Sequence, residues 1–221
     1  MKTIFALVGA AVMVSGCSGM KHMFDHGPQV TGSGKVKSET RKVGNFTKIE
    51  SRGSADCKVT VGKAVGLSIQ ADDNILPLVE TTVEKDTLII NCKGSFSTHN
   101  PIVVTITVPN LENFNVKGSG DSLIQSLKGR SFSAEIAGSG NIHASGQIDK
   151  ASASIRGSGN VDFSNLRARQ AVASISGSGD ITIFASHALD ASIRGSGDIA
   201  YLGNPSNVEK SVSGSGEINP K

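Results

Sequence analysis

Ala153-Ser154-Ile155-Arg156-Gly157-Ser158-Gly159-Asn160-Val161-Asp162-Phe163 alternates small or aliphatic residues with polar ones on both sides of a Gly-Ser-Gly. A period of two is the pattern of a strand that buries one face. A helix would need apolar residues three and four apart, and it would lose about 1 kcal/mol at each glycine. The unit therefore predicts strand, sharp turn, strand.

Outward from this stretch, Gly-Ser-Gly recurs at Gly118, Gly138, Gly157, Gly177, Gly195 and Gly214, a period of roughly nineteen residues. Each turn is followed by a carboxylate or its amide: Asp121, Asn141, Asn160, Asp180, Asp198 and Glu217. An aliphatic residue comes next in every copy but the first, where Ser122 intervenes before Leu123 and predicts a one-residue irregularity in that coil. Two residues ahead of the turns stand Val116, Ile136, Ile155, Ile175, Ile193 and Val212, and two before those Phe114, Ala134, Ala153, Ala173, Ala191 and Lys210. No single repeat can bury its apolar face alone, so the repeats must stack. The expected fold is an all-β solenoid whose Ile and Ala columns fill a narrow interior at a ladder spacing of about 4.8 Å. Glycine flanks each serine because a sharp corner repeated in every coil calls for φ > 0. Just ahead of the turns, Lys117, Ala137, Arg156, Ser176, Arg194 and Ser213 alternate basic and small, the order in which stacked cations avoid one another.

The composition fits such a chain. There are 26 glycines, no Trp and one Tyr, Tyr201, which means many turns and a thin core of small aliphatic side chains. The formal net charge of +3 is scattered along the sequence, and nucleic acid is not an expected partner.

Ahead of the repeat, Lys2 and the uncharged run from Ile4 to Val14 read as an export signal over residues 1–16, too short to span a bilayer. Val14-Ser15-Gly16-Cys17 resembles the bacterial lipobox. That resemblance implies lipidation of Cys17, a partner membrane reached through the lipid, and, because Ser18 is not Asp, sorting to the outer membrane. Two or three acyl chains make a durable anchor where one does not. Residues 17–44 read as the lipidated N-terminus and a flexible tether, with Gly27-Pro28 and Gly32-Ser33-Gly34 and no apolar period. Residues 45–221 form the solenoid domain. Strands are expected over Cys57 to Val61, Leu67 to Gln70, Thr87 to Asn91 and Ile102 to Val108, with a short helix around Ile75 to Glu80. Cys57 and Cys92 share strand parity with Val59 and Ile90 and point inward. They are either a disulfide pair, in a compartment that permits one, or two buried free thiols.

Phe46 with Ile49, Gly53-Ser54-Ala55-Asp56, Ala71-Asp72-Asp73-Asn74, Thr87-Leu88-Ile89-Ile90, Pro109-Asn110-Leu111 and the Gly-Ser-Gly turns together resemble the bacterial head GIN domain family. The resemblance runs from Phe46 to the C-terminus. It implies a right-handed parallel β-helix on a secreted or lipid-anchored chain, and a label of auto-transporter adhesin. Cys57 and Cys92 lie outside the family pattern.

Parallel β-helices also carry polysaccharide lyases and hydrolases, so the column from Asp121 to Glu217 is the first candidate for chemistry; Asp180 and Asp198 would stack on adjacent coils. An Asp or Asn after a glycine turn, however, satisfies turn amides with its side chain, which accounts for the free exchange of Asn and Asp between repeats. The column is read as structural or weakly binding. The serines of the turns lack a histidine base, since His143 and His187 each occur in a single repeat. His22, His26, Met20 and Met23 decorate the tether, and the calcium repeat Gly-Gly-x-Gly-x-Asp is absent. No enzyme, metal site or cofactor is expected. The function read from the sequence is a lipid-anchored envelope module that binds a glycan or a protein ligand, surface-facing as an adhesin or periplasm-facing as a scaffold.

Overall fold

The computed structural model describes residues 29–62 and 64–221. The export signal, Cys17 and the His/Met group of the tether lie outside the described residues. The strands in chain order are β1 (Val30–Thr31), β2 (Val36–Thr40), β3 (Lys48–Gly53), β4 (Asp56–Val61), β5 (Gly66–Asp72), β6 (Val79–Glu84), β7 (Thr87–Cys92), β8 (Phe96–Ser97) and β9 (Val103–Val108). They continue as β10 (Asn113–Gly118), β11 (Ser122–Ile136), β12 (Ile142–Gly157), β13 (Val161–Gly177), β14 (Ile181–Phe184), β15 (Ala188–Gly195), β16 (Ile199–Leu202), β17 (Asn207–Gly214) and β18 (Ile218–Pro220).

The Gly-Ser-Gly turn joins two parallel ladders into a β-solenoid. Ahead of the turn, β7, β3, β10, the ends of β11, β12 and β13, then β15 and β17 stack in that order. After it come β9, β4, the starts of β11, β12 and β13, then β14, β16 and β18. The register is the one the repeat dictates: Ala134, Ala153, Ala173 and Ala191 pair in succession, as do Ile136, Ile155, Ile175 and Ile193. All eight are buried. Each buried Ile contributes roughly 1.5–3 kcal/mol, and the alanines between them let the two ladders approach.

A second corner lies within the long strands. β11 is 15 residues, β12 16 and β13 17, and the register shifts between Ile124 and Leu127 and between His143 and Ser145. Bulges at these points bend each strand around the core. Ser126, with φ of 61°, and Gly129, with φ of 133°, mark the corner in β11.

The first two coils are stacked out of sequence order. β3 sits between β7 and β10, so the coil of β7 and β9 packs outside that of β3 and β4, and the chain then returns through Pro109-Asn110 to the opposite face. Antiparallel strands close this end: β6 on β7, β5 on β9, and β2 on β5. Such a cap hides an edge that would otherwise template aggregation. Part of the stretch expected as a tether is held in the sheet instead, Val36–Thr40 by β5 and Val30–Thr31 by β8. The helix expected from Ile75 to Glu80 is one 3-10 turn, Leu76–Leu78; Val79 and Glu80 already belong to β6, which pairs along β7.

The first repeat keeps its register. Ser122 pairs with Cys57 on one side and Ile142 on the other and is buried, so it occupies the aliphatic position itself, while Leu123 points outward at 42 % exposure. The irregularity expected at Asp121-Ser122 is thus a substitution in the column, and the bulge comes later, after Ile124.

On β17 Val212 is 47 % exposed, since among the described residues that strand pairs only with β15. Lys210 stands where earlier coils have alanine, and its Nζ donates to the Ile218 carbonyl at 2.7 Å and lies 4.9 Å from the Tyr201 ring centroid. A charge folded over the open core is a barrier to edge-to-edge pairing.

Stacking this tight predicts the effect of two substitutions. Ile155→Asp buries an unpaired charge, and Gly157→Val forces a branched side chain into the Gly138 carbonyl at a φ of +151°. Each is expected to lower stability by about 3 kcal/mol or more, read as a fall in melting temperature by circular dichroism; an unchanged melting temperature for both would contradict the stacked arrangement.

Candidate functional site

The Asp/Asn column forms one continuous hydrogen-bonded ladder, and its acceptors serve the neighbouring coil. Asp121 N–H donates to Asp56 Oδ1 at 2.9 Å, Asn141 N–H to Asp121 Oδ1 at 3.1 Å, and Asn160 N–H to Asn141 Oδ1 at 3.1 Å. Asp180 N–H donates to Asn160 Oδ1 at 2.9 Å, Asp198 N–H to Asp180 Oδ1 at 2.8 Å, and Glu217 N–H to Asp198 Oδ1 at 2.8 Å. Where the residue is Asn, its Nδ2 also donates to the oxygen below: Asn141 to Asp121 at 2.8 Å and Asn160 to Asn141 at 3.0 Å. Either residue type supplies the one oxygen the ladder needs, which is why they interchange. The side chains do satisfy turn amides, as the sequence implies, but those of the next coil. The ladder also has a rung that the repeat count misses. Asp56 of Gly53-Ser54-Ala55-Asp56 is its start, and the signal was Gly-Ser with alanine in place of the second glycine.

Backbone bonds of both polarities flank these rungs. Ser139 N–H donates back to Gly118 O at 2.9 Å and Ser158 N–H to Gly138 O at 3.0 Å, whereas Ile142 N–H donates forward to Asn160 O and Val161 N–H to Asp180 O, both at 2.9 Å. Neither glycine of the Gly157–Gly159 turn has room for a Cβ, and the first also takes a positive φ. Gly157 has φ of +151°, yet the second glycine, Gly159, has no such angle and is needed because a Cβ would collide with the Gly140 carbonyl below. The φ > 0 requirement is therefore only part of the reason for glycine. The turn serines are exposed and line the corner.

Over the first rungs an open groove of about 470 Å³ is lined by Gly53, Ser54, Ser119, Ser139, Cys92 and Phe96, among others. Cys92 is half-buried beside Gly53, with its thiol pKa raised by burial. Cys57 points into the core, 3.7 Å from Ser51 Oγ, and burial pushes its thiol up to about 12. Both are free thiols. Cys92 stands ahead of the glycine turn and Cys57 beyond it, so their shared inward parity does not make them a bonded pair.

Among the described residues the turn serines find no base, and the Ser206 Oγ that lies 3.4 Å from His187 Nδ1 is outside the turns. Ser122 and His143 border one cleft of about 160 Å³, but Ser122 is on the inner face and His143 on the outer. His143 Nδ1 lies 3.5 Å from Asp162 Oδ2 in an exposed pair. Partial burial acts to raise the Asp162 pKa, and hydrogen bonds from Ser164 and the neighbouring His143 outweigh it and hold the carboxyl below its ordinary value. Among the described residues no group of three or more His, Cys, Asp or Glu is arranged to hold a metal ion.

A further polar cluster fixes the N-terminal segment. Asp72, buried on β5, accepts Asn100 Nδ2 at 2.7 Å and Thr98 Oγ1 at 2.8 Å, while Asn74 Nδ2 donates to the Thr31 carbonyl at 2.7 Å and Asn74 Oδ1 accepts Ser33 N–H at 2.9 Å. The Asn100 bond is the main reason that the Asp72 carboxyl stays below its usual range. Ala71-Asp72-Asp73-Asn74 is a clasp for the entering chain.

A family model described as "Putative auto-transporter adhesin, head GIN domain" matches residues 45–205. Among solved structures, the chain is similar to a "putative adhesin" from Bacteroides fragilis, with 28 % identity and a TM-score of 0.69 over 87 % of this chain and 100 % of that one. It is similar to a "Putative lipid binding protein" from Parabacteroides distasonis, with 28 % identity and a TM-score of 0.59 over 88 % of this chain and 100 % of that one. A "putative adhesin" from Parabacteroides merdae shares the fold at 20 % identity, with a TM-score of 0.60 over 87 % and 99 % of the two chains. Among curated proteins none matches the sequence.

The ladder predicts a graded response at Asn160. Replacing it with Ala removes the acceptor of the Asp180 N–H and costs about 1 kcal/mol, whereas Asn160→Asp keeps the acceptor and loses less. Urea unfolding midpoints measure the difference; equal losses would show that the oxygen is not what matters.

Proposed function

We propose, for a chain that belongs to the head GIN domain family, that it is a cell-envelope binding module of adhesion type, held at the outer membrane by a lipid on Cys17 and without catalytic activity. The observation that carries this reading is the occupation of the carboxylate column. From Asp56 to Asp198 each residue holds the turn amide of the next coil with one side-chain oxygen, so the one array that resembled a catalytic or cation-binding row has a structural task in every coil. What remains for a partner is static surface: a row of exposed serines, an open groove at Phe96 and Cys92, and the outer corners of the coils.

The adhesin description of the family supports a cell-envelope location, and the lipobox-like Val14-Ser15-Gly16-Cys17 supports the lipid. The Parabacteroides distasonis neighbour is named a lipid binding protein, which supports a binding role while naming another ligand class. A glycan or protein ligand fits a polar, preformed surface of this kind. Protease treatment of intact cells, followed by blotting for the solenoid with a periplasmic control, tests the outward orientation. Loss of the protein from intact cells is the expected result; protection until lysis would place it facing the periplasm and turn the partner into another envelope component.

A further inference from the structure

The second corner of the coils carries a concentration of positive charge. Lys128 on β11 pairs in register with Gln147 on β12, and Gln147 with Arg167 on β13. Arg130 and Asp149 lie between the paired positions Gly129/Ile148 and Ser131/Lys150, and Asp149 and Arg169 between Ile148/Ala168 and Lys150/Gln170. Three successive coils therefore bring Lys128, Arg130, Lys150, Arg167 and Arg169 to one corner, all exposed, around a single carboxylate, Asp149.

Two of the three cations beside the glycine turns are paired, Arg194 being the exception among the described residues. Lys117 lies 3.0 Å from Glu50 and Arg156 2.7 Å from Glu135. No cation of the second corner has a described carboxylate within ion-pair distance. The burial that would raise the Glu50 pKa is outweighed by Lys117 and Arg52, which keep that carboxyl ionised to lower pH; at the second corner one carboxylate, Asp149, stands in register between Arg130 and Arg169 against five cations. Arg167 is held in place, its guanidinium 4.3 Å from the Phe184 ring centroid, an arrangement that fixes the side chain while leaving its edge free to donate. Asp190 and Glu209, across a shallow depression from Lys150, bound the patch toward the C-terminal end.

We propose that this corner binds an acidic polysaccharide. Like-charged residues at the same register position recur on alternate coils, Lys128 with Arg167 and Arg130 with Arg169, a repeat of about 9.6 Å from twice the strand spacing. That repeat spans about two sugars of an extended chain, so the paired cations would meet the uronates or sulfates of every second sugar. Between the cations, Gln147, Gln170 and Asn165 present exposed amides that can bond sugar hydroxyls. The patch deepens the binding-module reading and rests on it by naming the ligand class.

The test uses the purified full chain in detergent micelles with polygalacturonate, dextran sulfate, neutral dextran and polyglutamate as probes. Polygalacturonate and dextran sulfate are expected to bind, and neutral dextran not to bind, with affinity falling as salt rises. The variant Lys128→Gln/Arg130→Gln/Arg167→Gln/Arg169→Gln is expected to weaken binding about tenfold or more, and the pair Arg130→Gln/Arg169→Gln, which leaves the Arg167 contact intact, by a smaller factor. Lys42→Gln/Lys58→Gln, which removes exposed charge elsewhere, is expected to bind as the parent does. Equal binding of the parent and the fourfold variant would overturn the assignment, as would binding of polyglutamate as tight as that of polygalacturonate. Because the measurement is made on purified protein, its failure would leave the orientation in the envelope untouched, and a periplasmic orientation would not by itself remove the patch.

Discussion

The close approach of consecutive glycine turns is the constraint on which this structure depends. A Cβ at Gly159 or Gly179 would occupy the space of the carbonyl of the coil below, so a corner stacked on another glycine turn needs its glycines, whereas the first rung carries Ala55. With the backbones that near, a side-chain oxygen two residues past the serine reaches the amide of the adjacent coil, and strand hydrogen bonds run backward before the turn and forward after it. Glycine, the Asp/Asn ladder and the pairing of the aliphatic columns are thus one device, each part useful only in the presence of the others.

Its consequence is a narrow core with two unlike ends. The interior is built from columns of Ile and Ala with Phe114, Phe132 and Phe163 filling the wider places. At the N-terminal end the chain lays its second coil outside the first and seals it with antiparallel strands. At the other end, among the described residues, a lysine in the alanine column folds over the core in place of such strands. Between these ends the corners are left as the surfaces open to partners.

The repeated part of this fold was legible because a stacked architecture turns sequence period into register. The Ala and Ile columns, the glycine turns and the ladder residues follow from Ile155 and its equivalents without tertiary information. What was not legible depends on contacts distant in sequence. The inversion of the first two coils leaves no periodic mark, since β3 and β7 pair across intervening antiparallel strands. The second corner is hidden by bulges that use ordinary residues such as Ser126. Ser122 misled because a hydroxyl in an aliphatic column looks like an insertion, although its neighbours Cys57 and Ile142 hold it in register. Asp56 was quoted only as part of a motif because Ala55 hides the turn signature.

The ladder also separates fold from function in this chain. An array of carboxylates and amides on one edge of a β-solenoid invites a catalytic reading, and the hydrogen bonds assign it to the backbone of the neighbouring coil instead. The measurement that bears on this most directly is native-state hydrogen exchange at the amides of Asn160, Asp180, Asp198 and Glu217, residues whose side chains face solvent. If their N–H groups are held by the coil below, they exchange only with global unfolding, as slowly as those of the buried columns. Exchange at the rate of an open surface loop would contradict the stacking on which the whole arrangement rests.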